Sequence, residues 1–502
     1  MSKAKRRLRG AAFTIVAVTA LTAAFSQPLF AAKPSPMATV SGASLAAACD
    51  KAPTGVQVSD HWLPFTVPAG LMPDPQFDGL SAELQVHRVQ PVYAHGKCPA
   101  VPNRAAVLIH GRTAYGPAVF DLRQPAPVGG ELSVQKALAR AGIDTFAPNL
   151  LGYGRSTRFA HGLDDPGNAS LRAYNTDGTC SYPEGCDRTH VPVFPLDQQG
   201  TDLLINPLGQ QRRSHSSHVR FARVDTFVRD IRQVIDDAIT RAQPSDGKVT
   251  LLGYSAGGQH VSRTLYAANP VLPHSDQYIA KVNRVVFLSS LFGFPTEETP
   301  PPTGFATFPL HVFKTDAASL TDIWQLGAGR EPACTGHIVP GSPQQLSTQL
   351  REEETVGLQW GGDDPAHPTG LARSPVFSSY GWNTFVAGQL TPPTLVIHGV
   401  EDQVTLVANA NSIYGALPAS MTNKVLVKVA CASHGLLWEG CSGQRCTPAS
   451  GTPYGGKVGA PWAGPYSTLK AALIEWINSG TFNGAPNGQF NVNESGVVSA
   501  GP

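Results

Sequence analysis

Lys248-Val-Thr-Leu-Leu252-Gly253-Tyr254-Ser255-Ala256-Gly257-Gly258 opens on a short apolar, β-branched run and ends on a serine set among glycines. Residues 248–252 read as a buried strand, and the apolar stretch behind Gly258 reads as a helix. A serine on a sharp strand-to-helix turn projects its hydroxyl into a pocket, while flanking glycines let neighbouring backbone pass without Cβ clashes. The helix N-terminus directs free N–H groups and a positive dipole end toward an oxyanion forming there. A lone G-x-S-x-G is frequent by chance; the strand before this one and the helix after it give it weight. Ser255 is the candidate nucleophile.

A serine hydroxyl is a poor nucleophile without a base. His434, in Ala432-Ser433-His434-Gly435, follows the apolar strand 424–429, so it sits on a loop at the same sheet edge as Ser255. Asp402, in Gly399-Val400-Glu401-Asp402, follows the strand 394–398. The chain order is serine, acid, histidine, each beyond a successive strand. His434 is therefore the candidate base and Asp402 the acid that orients it, with Glu401 as its competitor.

These segments resemble the α/β-hydrolase fold family. The likeness covers the turn at Ser255, the Gly-x-x-Asp at Asp402, the His-Gly at His434, Leu108-Ile109-His110-Gly111, and Asn149-Leu-Leu-Gly152-Tyr153-Gly154-Arg155-Ser156. The last is similar to the family's D-x-x-G-x-G-x-S loop, with Asn149 where Asp is usual. The likeness spans most of residues 100–480 outside two insertions. It implies backbone oxyanion donors at Ala256 and Arg112. Gly111 is followed by Arg112-Thr113, so the glycine-rich HGGG form of that loop is absent. His110 reads as a structural residue beneath the loop.

The expected fold class is α/β, a mostly parallel central sheet flanked by helices, the α/β-hydrolase fold, with two insertions. Strands are read at 104–110, 143–148 and 282–288. A helix capped by Ser133 ends near Gly142. Phe227, Ile231, Val234, Ile235, Ala238 and Ile239 mark an amphipathic helix capped by Asp225, and a last helix covers 468–477. Residues 155–218, rich in Gly, Pro, Asp and His, form the first insertion. Residues 292–390 form the larger, whose Phe305, Phe308, Trp324, Trp360 and Trp382 suit a lid over a pocket. The catalytic domain is read as 60–490, after a loosely ordered segment at 33–59 and before a frayed tail at 491–502.

Hydrophobic residues make up 42% of the 502, enough for a large buried core. The formal net charge of +2 rests on Lys3, Lys5, Arg6, Arg7 and Arg9; the rest of the chain is mildly acidic. That balance gives no electrostatic case for binding nucleic acid or anionic lipid. The basic head, an apolar run at 11–25 and the small Ala31-Ala32 have the order of a secretory signal peptide, read as 1–32. The run is shorter than the roughly 20 residues needed to span a bilayer, so no stable membrane insertion is expected after cleavage. An even set of 8 cysteines without Cys-x-x-Cys fits a secreted or periplasmic protein with disulfides. Cys180 with Cys186 and Cys441 with Cys446 are close enough for small loop bridges. Cys49 reads as structural.

The expected activity is hydrolysis of carboxylic esters through an acyl-enzyme, with a small-molecule substrate and neither metal nor organic cofactor. The lid aromatics and Trp438 suggest an apolar acyl or alcohol group. The alternative is an amide or peptide hydrolase on the same triad, resembling secreted serine aminopeptidases, with Glu352, Glu353 and Glu354 as a candidate patch for a substrate amine, although a solvated charge run is the better reading of them. A binding-only protein of this fold would have no need of all three triad residues. His215 and His218 stand three apart, but no carboxylate or cysteine accompanies them at ligand spacing, and a solvated loop is the better reading.

Overall fold

β1 (Gly55–Thr66) and β2 (Ser81–Val92) form a long antiparallel hairpin at one margin of the main sheet, and a disulfide between Cys49 and Cys98 ties its flanks. The computed structural model describes residues 49–72, 75–112, 114–126, 131–159, 222–266, 272, 274–294, 307–308, 311–314, 337–354, 371–374, 377–378, 380–441 and 446–501. The signal peptide read at 1–32, most of the first insertion, the Cys180 and Cys186 pair, and the His215 and His218 cluster lie outside these residues.

The middle of the sheet is built from β3 (Arg104–Ile109), β4 (Ile143–Pro148), β5 (Val249–Tyr254), β6 (Val282–Leu288), β7 (Thr394–Gly399) and β8 (Lys424–Val429). These short apolar runs are buried almost throughout, as parallel strands covered by helices must be. β9 (Gly488–Val492) and β10 (Val498–Ala500) complete the order β1-β2-β4-β3-β5-β6-β7-β8-β9-β10. Pairing is parallel from β4 through β9 and antiparallel at β1–β2, β2–β4 and β9–β10.

Nine helices are described: α1 (Gly116–Phe120), α2 (Val134–Arg140), α3 (Val224–Ala242), α4 (Ala256–Thr264), α5 (Ser275–Ala280), α6 (Ser342–Glu353), α7 (Thr384–Ala387), α8 (Val407–Ala416) and α9 (Pro465–Ser479). Ser133 caps α2 by accepting the Lys136 N–H at 2.9 Å, and Gly142 takes the left-handed turn after it. Phe227, Ile231, Val234, Ile235 and Ala238 of α3 face the core, as their spacing predicts. Among the described residues no helix is long and apolar enough to cross a membrane.

Four expectations are corrected. Residues 49–59, placed in a loosely ordered 33–59 segment, carry the Cys49–Cys98 staple and the start of β1; their Ser and Pro content belongs to an ordered sheet margin. The tail at 491–502, expected to fray, folds back as β10. Asn493 Oδ1 accepts the N–H groups of Ser495 and Val497, so its Gly and Asn residues are turn chemistry. Asp225 is not the cap of α3. Arg223 holds that position, and the Asp225 carboxylate pairs with Arg263 inside the protein. Trp382, expected over a pocket, is buried in the core against Phe287 and Phe292 at ring separations of 4.8 and 5.0 Å. Likewise Leu346 and Leu350 of α6 belong to the core, so this part of the 292–390 insertion is built into the main body.

Candidate active site

β5 delivers Ser255 to the C-terminal edge of the sheet, where the chain must turn at once into α4. The turn holds Ser255 at φ 55° and ψ −122°, a conformation that L-residues other than glycine avoid. Gly257 makes it feasible, since a Cβ there would lie 2.5 Å from the Ile109 carbonyl oxygen and 2.6 Å from that of His110. Gly111 is the counterpart on the facing loop. Its added Cβ would stand 2.7 Å from Ser255 Cβ and 3.3 Å from Oγ. The β3 exit loop is therefore pressed directly against the serine. Arg112 comes next in this loop, and Ala256 is the first residue of α4. Desolvation lowers the Arg112 guanidinium to about 10, with Tyr153 pulling the other way.

His434 comes from the loop after β8. Its Nε2 lies 3.0 Å from Ser255 Oγ, and its Nδ1 lies 2.9 Å from Asp402 Oδ2. The structure thus brings together Ser255, His434 and Asp402, all nearly or fully buried; it brings Asp402 to the imidazole and not its neighbour Glu401. Asp402 Oδ1 accepts the N–H groups of Val404 and Thr405 at 2.9 and 2.8 Å. Burial alone would raise the Asp402 carboxyl, but His434 and His398 outweigh it and hold the group well below the usual carboxylate range.

Several supporting residues were not legible in the sequence. Tyr254 donates its hydroxyl to the His434 carbonyl at 2.8 Å and stacks on the imidazole, ring centroids 5.1 Å apart. Buried Glu439 accepts both the N–H and the hydroxyl of Ser433 at 2.7 Å, bracing the residue before His434. Thr405 donates to Asp402 Oδ2 across 2.8 Å. No local motif marks these residues, because each acts across 3 to 180 positions of chain. His398 carried a weak signal: a histidine inside an otherwise apolar strand.

His110 sits beneath the loop as expected. Its Nδ1–H donates to the Gly111 carbonyl at 2.7 Å and Nε2 accepts the Leu150 N–H at 3.1 Å, while burial lowers it to about 4. Asn149 accepts the Gly116 N–H at 2.9 Å and donates to Gln85 and Glu353 at 2.6 and 2.8 Å. An amide can serve donors and acceptors together, which an aspartate could not. Trp438 lies under the site, edge-on to Tyr254, with its indole N–H on the Val119 carbonyl; it is core packing and not pocket wall. The three glutamates, read as a solvated charge run or else an amine patch, are engaged by arginines: Glu352 by Arg123, Glu353 by Arg155, and Glu354 by Arg158 and Tyr115.

Residues 107–440 match the family described as alpha/beta hydrolase fold. Among solved structures the chain is similar to a bromoperoxidase from Bacillus anthracis, at 14% identity and TM-score 0.34, covering 71% of this chain and 90% of that one. It is similar to an esterase from a Rhodococcus species, at 14% identity and TM-score 0.35, covering 74% and 92%. A monoacylglycerol lipase from Paleococcus ferrophilus is similar at 12% identity and TM-score 0.32, covering 84% and 100%. No curated protein sequence matches the chain.

Proposed function

The chain belongs to the alpha/beta hydrolase fold family, and from that premise we propose that it is an exported serine hydrolase that cleaves carboxylic esters through an acyl-enzyme. The observation that carries this reading is the continuous contact from Ser255 Oγ to His434 Nε2 at 3.0 Å and from His434 Nδ1 to Asp402 Oδ2 at 2.9 Å. In the reaction, Ser255 Oγ bonds to the acyl carbon as its proton passes to His434 Nε2. The imidazolium is balanced by ionised Asp402 and returns the proton to the departing alkoxide, releasing the alcohol. Water then attacks the acyl-enzyme by the same route in reverse, releasing the acid and restoring Ser255. The N–H groups of Ala256 and Arg112 receive the oxyanion in both halves, each worth roughly 3–4 kcal/mol of barrier. Disulfides at Cys49–Cys98 and Cys441–Cys446 support an oxidising destination, and thus export.

Amide hydrolysis would use the same three residues. The glutamates that could have formed an amine patch for it are spent on ion pairs at α6, which favours the ester reading. The test is p-nitrophenyl ester hydrolysis across acyl lengths beside amino-acid p-nitroanilides, for wild type and Ser255→Ala. Ester turnover that disappears in Ser255→Ala is the expected outcome. Anilide turnover without ester turnover would replace the reading, and equal non-zero rates in both proteins would discard Ser255.

A further inference from the structure

Asp402 faces two imidazoles. Besides His434, the fully buried His398, the penultimate residue of β7, places Nε2 at 3.3 Å from Asp402 Oδ2 and 2.5 Å from the Thr405 carbonyl oxygen. A carbonyl only accepts, so Nε2 carries the hydrogen; it bonds to the Thr405 carbonyl, and Asp402 Oδ2 is the next acceptor within its reach. The other ring nitrogen, Nδ1, is buried with no hydrogen-bond partner among the described residues. Burying such an atom is unfavourable. A leucine or valine would fill this strand position without that penalty, so the side chain is held here for what Nε2–H does.

The need for that donor follows from counting hydrogens around Oδ2. Thr405 Oγ1 has one hydrogen and two acceptor-only neighbours, Asp402 Oδ2 at 2.8 Å and the Ser289 carbonyl at 2.9 Å. Ser289, the residue after β6, takes φ 43°, a strained turn that leaves its carbonyl on Thr405. Whenever the hydroxyl turns to Ser289, Oδ2 keeps only the His434 Nδ1–H unless His398 supplies another. The backbone donors of Val404 and Thr405 fix Oδ1 alone.

We propose that His398 is a positioning residue of the reaction, a second N–H donor on the Asp402 oxygen that binds His434, and this rests on the ester-hydrolase reading above. It holds the carboxylate rotamer while His434 gains and loses its proton, and it shares the negative charge that His434 would otherwise take alone. The titratable groups around the cluster are Ser255, Asp402 and His434 themselves, Tyr254 of β5 under His434, Glu439 behind the His434 loop, Glu401 beside Asp402, and Lys428, the register partner of His398 on β8.

The test compares wild type, His398→Phe, His398→Gln and Ser255→Ala on one p-nitrophenyl ester across pH. Active sites are counted by fluorophosphonate labelling, so that misfolded material does not enter kcat. His398→Phe should lower kcat roughly tenfold or more, as for loss of a hydrogen bond to a charged group. It should also raise the acid-limb pKa of kcat/KM, because Asp402 then attracts the His434 proton more strongly. His398→Gln, whose amide can place an N–H near the same point, should recover most of kcat and return the limb to its wild-type position. If His398→Phe does not fold, His398→Asn, whose amide is too short to reach Asp402, takes its place. Equal kcat in the Phe (or Asn) and Gln proteins, or an unmoved acid limb, overturns the proposal. Activity unaffected by Ser255→Ala would instead overturn the underlying reading, so the two failures are distinct.

Discussion

At the residue scale, two contacts set how closely Ser255 and His434 are placed. Gly111 leaves room for Ser255 with nothing to spare, since an added Cβ would overlap Ser255 Cβ at 2.7 Å. Gly111→Ala should keep the fold, because the loop can shift by a fraction of an ångström, but should displace either the serine or the Arg112 amide. The expected loss in kcat/KM is on the order of 100-fold, measured on ester substrate with circular dichroism confirming the fold; a loss below about threefold would mean that the loop plays no part in oxyanion binding. Asp402→Asn tests the other end. An asparagine keeps the volume but can present an N–H to His434 Nδ1, favouring the wrong tautomer. Steady-state kinetics should show kcat reduced about a thousandfold or more with KM little changed. A reduction under tenfold would point to another acid, with Glu401 the first to examine.

At the scale of elements, α3 and α4 are locked by a pair that the sequence disguised. Asp225 and Arg263 are both fully buried, Nε to Oδ1 at 3.2 Å, and Tyr380 adds its hydroxyl to the same carboxylate. α4 begins just after Ser255, so this pair fixes the helix behind that serine to the 19-residue α3. Removing one partner of a buried pair leaves the other charge without compensation, which is more damaging than the pair itself is stabilising. Asp225→Asn should lower unfolding free energy by about 3 kcal/mol or more in a urea titration, whereas Phe227 and Ile231 would still bury normally. A change below about 1 kcal/mol would show that Arg263 finds another acceptor. The same logic explains α6. Its glutamates look like a solvated charge run in the sequence, yet Glu353 and Glu354 are buried against Arg155, Asn149, Arg158 and Tyr115.

For the molecule as a whole, pH acts through His87, which joins β2 to β1 and to the end of α1. Its Nδ1 lies 2.6 Å from Asp60 and its Nε2 3.0 Å from Asp121. Burial alone would lower this histidine, but the two carboxylates outweigh it and raise it from 6.5 to about 9. Between those values the folded protein holds a proton that the unfolded chain releases. The stabilisation is complete below 6.5 and disappears as pH rises through about 9. Its full size is on the order of 3 kcal/mol. Wild type should therefore lose stability across this window relative to His87→Gln, read as unfolding free energy against pH. Parallel curves for the two proteins would show that His87 does not retain its proton.

Sequence alone determined the central strands, the turn at Ser255 and the order of serine, acid and histidine. Those features are local: a five- or six-residue apolar run, a glycine beside a crowded turn, a residue just beyond a strand end. β4, β6 and β8 fall at the residues read for them, because buried parallel strands have unmixed apolar signatures. The margins were not legible in this way. β1, β2, β9 and β10 mix buried, half-buried and exposed positions without a clean apolar run and are rich in turn-forming residues, so their order depends on pairing with distant strands and on the Cys49–Cys98 bridge. Only the tertiary structure shows which of Asp402 and Glu401 lies against His434, Asp402 at 2.9 Å, since adjacent carboxylates differ in direction and not in pattern. It alone placed His398, Thr405, Tyr254 and Glu439 around His434, because side-chain hydrogen bonds within loops or across the fold leave no periodicity to read.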